Sequence, residues 1–323
     1  LITAFSMSAF AADPAVEKLK PANFPERPIE FTVVYPAGGG MDLSGRLLAK
    51  YAEEVSGQKI LVNNRTGGAG LVGHAYLASQ AKPDGYTVGV LANLVWGDAL
   101  LRSQGKWSMS DLETIAYVNS DALTWVGPTT GPYANMSAKE IVEVAKQKPN
   151  TVRVAVVPGS MWEYLVDQIE AKTGAKFLRV PFQGGKPGIV ALVGGNVDIA
   201  QGFQGEFQSF MDAKNVRPLA VASNSRLPDL SDTPTFNEVY GTKDIVWNIV
   251  RFAVVPKGTP EPIKNYLGAM INAAVKQPAL RAEYKKLGAF FDPAFADSKN
   301  IAADLNVLYE RERDFYKQTG RLK

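Results

Sequence analysis

Residues 29–42 read Ile-Glu-Phe-Thr-Val-Val-Tyr-Pro-Ala-Gly-Gly-Gly-Met-Asp. The first seven, Ile29–Tyr35, are β-branched and aromatic and read as a buried strand. The Pro-Ala-Gly-Gly-Gly run stops it. Asp42 is then expected to cap a helix carrying Leu43, Leu47, Leu48, Tyr51 and Val55 on one face. Ile60–Val62 supplies a second strand. Gly67–Gly70 is a second glycine loop, leading into a helix through about Gln80. A turn at Asp84-Gly85 precedes a third strand, Tyr86–Leu91. The order β-α-β-α-β predicts a parallel sheet with right-handed crossovers.

The same grammar restarts at residues 152–160, Val-Arg-Val-Ala-Val-Val-Pro-Gly-Ser. Ser160 opens a helix with Trp162, Leu165, Val166 and Ile169 on one face. Phe177–Phe182 is the next strand, followed by Gln183-Gly184-Gly185-Lys186-Pro187 and a short helix through Val193. Val197–Ala200 and Leu219–Ala222 read as further strands. Two long apolar segments, Thr114–Val126 and Ile245–Val255, read as strands crossing between the halves. A helix over 260–276 begins at a proline, and the last helix spans about 298–318. The 323 residues suit two domains of ~100–200 residues each. The expected lobes are 24–122 plus 250–323, and 123–249.

Composition narrows the function. Hydrophobic residues are 46% and charged residues 21%, a globular mix. The net charge of +3 gives no reason to invoke nucleic acid or an anionic membrane. There is no cysteine and one histidine, His74, which excludes disulfides, thiolate catalysis, Cys-ligated zinc, a His-rich metal site and any mechanism needing two imidazoles; no metal and no cofactor are expected. Leu1–Ala11 is apolar, rich in small residues, and ends in Ala9-Phe10-Ala11. It reads as the remnant of a signal peptide, so the expectation is an exported, soluble, periplasmic and monomeric protein.

Two α/β halves with two crossings predict a cleft at the carboxyl ends of two sheets, where open α/β folds bind ligands. Each half aims a glycine loop and a helix N-terminus there, and unpaired N–H groups at a positive helix end favour an anion. Carboxylate contacts are therefore expected at Gly38, Gly39 or Gly40, and again at Gly159, Ser160 and Met161. A side chain at Gly39 is expected to exclude ligand and to cost left-handed freedom. Tyr35, Asn93, Phe182, Gly184 and Phe203 stand at or near strand ends, as do Trp96 and Trp125.

Several signals have plainer readings. Gly68-Ala69-Gly70-Leu71-Val72-Gly73 matches the dinucleotide pattern, but it follows the second strand and the next strand ends at Ala92-Asn93 without an acid. It reads as a closely packed loop-to-helix turn. Ser160-Met161-Trp162-Glu163 and Ser137-Ala138-Lys139-Glu140 are both capping-box patterns, the first with its carboxylate expected on the Ser160 N–H or on ligand.

Taken jointly, Tyr35–Asp42, Asn64–Gly70, Pro83–Thr87, Val180–Gly185, Gly194–Asp198, Leu219–Val221, Asp232–Thr235 and Pro256–Pro260 resemble the Bug-type periplasmic solute-binding receptors of tripartite tricarboxylate transporters. The resemblance implies a two-lobed α/β Venus flytrap, no enzymatic activity, a small carboxylate ligand, and permease subunits in the membrane as partners. It places the carboxylate grip at Ala37–Asp42 and Val157–Met161. Met41 and Val157 stand where the family offers hydroxyls, and Trp162 is bulkier than usual. An aromatic acid or a medium-length dicarboxylate is therefore expected. Two other classes stay open: a receptor presenting ligand to a sensor kinase, and an exported carboxylate-based hydrolase, for which no nucleophile with an adjacent base is present.

Overall fold

The computed structural model describes residues 12–322, so the signal-like stretch 1–11 lies outside the described residues. The chain forms two compact α/β units. Unit 1 holds the residues up to Asn119, Val250–Lys285 and Phe291 onward; unit 2 holds Ser120–Ile249 and Lys286–Phe290.

Unit 1 is built on a five-stranded sheet with order β2-β1-β3-β10-β4. Its strands are β1 (Ile29–Val33), β2 (Ile60–Asn64), β3 (Thr87–Ala92), β4 (Leu112–Ala122) and β10 (Asn248–Pro256). β1 pairs in parallel with β2 and β3, as right-handed β-α-β units dictate, and β10 returns antiparallel to β3. β4 and β10 are the segments in which the chain passes from one unit to the other. Helices α1 (Gly40–Ser56) and α2 (Leu71–Ser79) make the crossovers. α1 buries Ser44, Leu48, Tyr51, Ala52 and Val55, while Leu43, expected on that face, is 41% exposed.

Unit 2 carries an antiparallel sheet, β8-β5-β9, and a parallel pair, β6-β7. These are β5 (Thr124–Pro128), β6 (Arg153–Val156), β7 (Leu178–Pro181), β8 (Ala200–Gly202) and β9 (Val216–Val221). Its longer helices are α3 (Ala138–Gln147), α4 (Met161–Thr173), α5 (Gly185–Val193) and α6 (Gln204–Asp212), and a short one spans Phe236–Tyr240. The single strand expected over 114–126 is broken at Leu123. There the backbone leaves the ladder to bond Trp247 C=O and Ala222 N–H. The strand expected at 197–200 starts three residues later: Asp198 and Ile199 bond by their backbone to β6, through Arg153 and Ala155, before the chain joins β5 at Ala200.

The C-terminal part carries three longer helices, α7 (Glu261–Lys276), α8 (Pro278–Lys286) and α9 (Ile301–Gln318), with a single helical turn at Pro293–Ala296 between the last two. α9 begins at an Asn300 N-cap, three residues later than expected. Among the described residues no helix is long and apolar enough to cross a membrane.

Two tryptophans expected near a ligand are core instead. Trp96 packs beside Leu91, Phe252 and Leu305 in unit 1. Trp125 is fully buried in unit 2, edge-on to Phe177 and Phe236 at 5.6 and 5.1 Å. Burial of this kind yields ~1.5–3 kcal/mol per large apolar side chain, reason enough for either ring.

Gly73 lets α2 lie close to the loop after β1. A Cβ there would stand 2.5 Å from Val34 Cγ1 and 2.6 Å from the Arg65 carbonyl oxygen. Backbone cannot yield as a side chain can, so Gly73→Ala should lose about 1–3 kcal/mol to overpacking. A helix-propensity gain of up to ~1 kcal/mol offsets only part of this. Urea unfolding should show a lower midpoint; an equal or higher midpoint would contradict the close approach.

Candidate functional site

The chain leaves β1 through Val34 and Tyr35 into an exposed run, Pro36–Gly40. α1 begins at Gly40 with Gly39 as N-cap, so Asp42 does not cap the helix as the sequence implies. Asp42 sits inside the first turn, 2% exposed, and reaches back. Its Oδ2 accepts the Gly38 N–H at 2.8 Å and Arg46 Nε at 3.0 Å; its Oδ1 accepts Asn64 Nδ2 at 2.9 Å. The same Asn64 amide donates to the Tyr35 carbonyl at 2.9 Å, which ties down the start of the loop. Burial pushes the Asp42 carboxyl up, but Arg46, the Gly38 N–H and Asn64 outweigh it and hold it below its ordinary range.

The left-handed residue here is Gly38 (φ +81°). Gly39 is extended (φ −78°), so the conformational freedom expected of Gly39 belongs to its neighbour. The Gly39 N–H turns back to the Pro36 carbonyl at 3.3 Å. That leaves the first-turn amides of Gly40 and Met41, which have no intrahelical acceptor and lie at the positive end of α1. Met41 is buried, and its Sδ accepts Arg251 Nε at 3.1 Å. Arg251 also donates to Asn119 Oδ1 at 2.7 Å, and its Nη2 lies 4.0 Å from where a Cβ on Gly40 would stand. A buried guanidinium therefore backs the first turn of α1.

Unit 2 repeats this loop. β6 ends at Val156, Gly159 is left-handed (φ +69°), and α4 begins at Met161 with Ser160 as N-cap. Glu163 reaches back as Asp42 does, its Oε2 accepting the Gly159 N–H at 2.8 Å. The expected capping box on the Ser160 N–H is not formed. The Ser160 hydroxyl, expected on ligand, donates to the Val157 carbonyl at 2.5 Å. Glu163 is less enclosed than Asp42: its side chain is 24% exposed, and Arg179 Nη1 stands 3.6 Å from Oε1. At α3 the expected Ser137–Glu140 capping box does form.

Gly184 leads into a helix end that the protein fills itself. The Glu206 carboxylate accepts N–H groups from Phe203, at 2.9 Å, and from Lys186 in the first turn of α5. Gly185 makes room for it, since a Cβ there would stand 2.5 Å from Glu206 Oε2. Burial pushes Glu206 up against those two bonds, and nearby Asp121 adds to the rise.

The other expected site residues divide. Trp162 and Phe203 are brought together, half-buried, with ring centroids 5.3 Å apart and edge to face. Gln201 fixes this pair: its carbonyl accepts Trp162 Nε1 at 3.3 Å and its side chain donates to the Trp162 carbonyl at 2.9 Å. Phe182 packs against the unit 2 core. Asn93 is buried, with Oδ1 accepting the Val250 N–H at 3.0 Å, so it clamps β10. Ala37 is exposed on the first loop, Met161 is buried, and Val157 is half-buried. Tyr35 turns its hydroxyl toward Gly70 and its ring edge-on to His74. His74 is fully buried and shares Asp98 with Arg102, its Nδ1 2.8 Å from Oδ2.

The family described as tripartite tricarboxylate transporter family receptor matches residues 45–318. BugT of Bordetella pertussis is 29% identical over 271 residues, covering 82% of this chain and 82% of that protein. A solved TctC solute-binding protein from Polaromonas, without ligand, has a TM-score of 0.74 at 29% identity, covering 91% of this chain and 99% of its own. Two Rhodopseudomonas palustris structures share the fold, one with bound malate and one with adipate. Their TM-scores are 0.71 and 0.75 at 23% and 22% identity, covering 90% and 92% of this chain and 99% of each of theirs.

The Asp42 linkage has a definite sign. A carboxyl held below its ordinary range contributes stability that is present above its unfolded pKa and lost as pH falls through the folded one. Asp42→Asn should lose about 1–3 kcal/mol at neutral pH. The gap from the parent should begin to close as pH falls through the ordinary aspartate range, ~3.9, and close fully only below the depressed folded value, where the parent carboxyl also protonates. Urea titrations at neutral and acid pH measure this; a gap that stays constant would show that the charge on Asp42 is not what holds the loop.

Proposed function

This chain belongs to the tripartite tricarboxylate transporter receptor family, and from that premise we propose that it is a periplasmic solute-binding protein that captures a small organic carboxylate for the membrane permease of such a transporter. The observation that carries the ligand class is the α1 loop. An exposed glycine run delivers the first-turn amides of Gly40 and Met41 at a helix's positive end, with the Arg251 guanidinium behind them. Such an end favours an anion by ~0.3–1 kcal/mol when exposed and by up to ~2 when partly buried. Relatives of this fold solved with malate and with adipate support the same class. On this reading the protein performs no chemistry: recognition is by backbone N–H groups, and Gly38 and Gly159 shape the loops without touching ligand.

Gly40→Asp tests the placement. Its backbone is not left-handed and a Cβ would meet only the Arg251 guanidinium, at 4.0 Å, so a side chain is accommodated. An acid in the first turn also suits the helix. That carboxylate would compete for the amides a ligand needs. Calorimetry against a panel of organic acids should find at least about tenfold weaker binding for the best of them, with an unchanged or raised melting temperature. Full affinity in Gly40→Asp would place the ligand elsewhere.

A further inference from the structure

Unit 1 holds a small cavity of about 110 Å³ between β4, α7, α8 and the start of α9. Its apolar walls include Tyr117, Phe291, Phe295 and Ile301. The rings pack on one another, the Tyr117 centroid lying 6.5 Å from that of Phe291 and 5.7 Å from that of Phe295. Asn272 and Lys276 of α7 and Arg281 of α8 line the same cavity. Arg281 is held in place: its Nε donates to the Val275 carbonyl at 2.9 Å, and its guanidinium carbon lies 4.5 Å from the centre of the Phe291 ring. One N–H thus closes the last turn of α7. Its two terminal nitrogens donate to no described residue. Neither Arg281 nor Lys276 has an ion-pair partner among the described residues, and the Asn272 side chain bonds to none of them. Ser298, also in the lining, spends its hydroxyl on Asp304 and accepts the Asn300 N–H. α8 has no acid in its first turn, and Arg281 stands one turn from its positive end, where a cation is disfavoured. The charge of Arg281 is therefore unanswered by the fold.

We propose that this cavity is an accessory anion site, contained within unit 1, that takes a short-chain aliphatic monocarboxylate. A cavity of ~150 Å³ accommodates benzene, so this one suits a smaller molecule. The end of the guanidinium formed by its two terminal nitrogens presents parallel N–H donors that match a planar carboxylate. Lys276 adds a point charge, and the Asn272 amide a further donor. The ligand's carbon chain then lies against Phe291, Phe295 and Ile301. Those walls offer no donors, so the additional oxygens of a phosphate would be buried without partners there. None of these residues belongs to the α1 loop, so the site stands or falls independently of the reading given to that loop.

Solution NMR tests it, with the Ile301 δ1-methyl and the Arg281 Nε–H as local probes and butyrate, butyramide and inorganic phosphate titrated into the protein. Butyrate should move both resonances saturably. Butyramide has the same shape without the charge; it and phosphate should each bind here at least about tenfold more weakly. Arg281→Gln, followed at the Ile301 methyl, should weaken butyrate at this site by at least about tenfold. Lys276→Gln, at an exposed position, should weaken it severalfold with the fold intact. Equal binding of butyramide would make the cavity an apolar cleft and overturn the proposal. Tighter binding of phosphate would overturn it as well, and so would the absence of a saturable shift or an unchanged butyrate affinity in both folded variants. Acids held by the α1 loop are read at other resonances, the Gly40 and Met41 N–H groups, so the two sites are scored apart.

Discussion

A carboxylate in the first turn of a helix, bonded back to the N–H of a left-handed glycine, shapes the leading loop of each unit. In unit 1 the pair is Asp42 and Gly38; in unit 2 it is Glu163 and Gly159, each at 2.8 Å. Gly38 and Gly159 turn the chain where most residues would be strained, at φ of +81° and +69°. The acid satisfies an amide that the turn leaves without a backbone partner. The loop is thereby held in one shape, and the next two amides of the helix are presented without further ordering. Preorganisation of this kind lowers the entropy that binding must otherwise supply.

The same device sets an electrostatic limit. An internal acid at a helix N-terminus consumes part of the positive potential an external anion would use. Unit 1 counters this with Arg46 on the carboxylate itself and with Arg251 behind Met41. Unit 2 keeps Glu163 partly exposed and adds Glu206 at a second helix end. The two loops share a backbone plan and differ in charge environment.

Much of this plan was legible in the sequence, because it rests on local rules. Strand, glycine run and amphipathic helix follow from β-branching, turn chemistry and 3.6-residue spacing, and they located both loops to within a few residues. What was not legible lies in long-range pairing. Asp42 reads as an N-cap because it precedes an apolar stripe, yet three glycines let the helix start three residues earlier, with Gly39 as N-cap. Glu163 reads as half of a capping box, but the left-handed Gly159 offers a better-placed N–H. Arg251 and Gln201 carry no motif and matter because their strands bring them to parts of the chain distant in sequence; Glu206 caps its own helix at Phe203 and reaches across to the Lys186 N–H of α5. The one available signal was an isolated charge within the apolar run Ile249–Val255. Trp96 and Trp125 were misplaced because an aromatic at a strand end fits a core as well as a site.

In the proposed binding mode the amides of Gly40 and Met41 hold the ligand's carboxylate, while that of Gly38 is already committed to Asp42. Backbone amide chemical shifts, followed by transverse-relaxation-optimised NMR during titration with the tightest-binding acid, test this directly. The Gly40 and Met41 N–H resonances should move downfield, with the Gly38 N–H nearly stationary. Movement at Gly38 with Gly40 and Met41 unchanged, or saturable binding that leaves the whole α1 loop unperturbed, would contradict it.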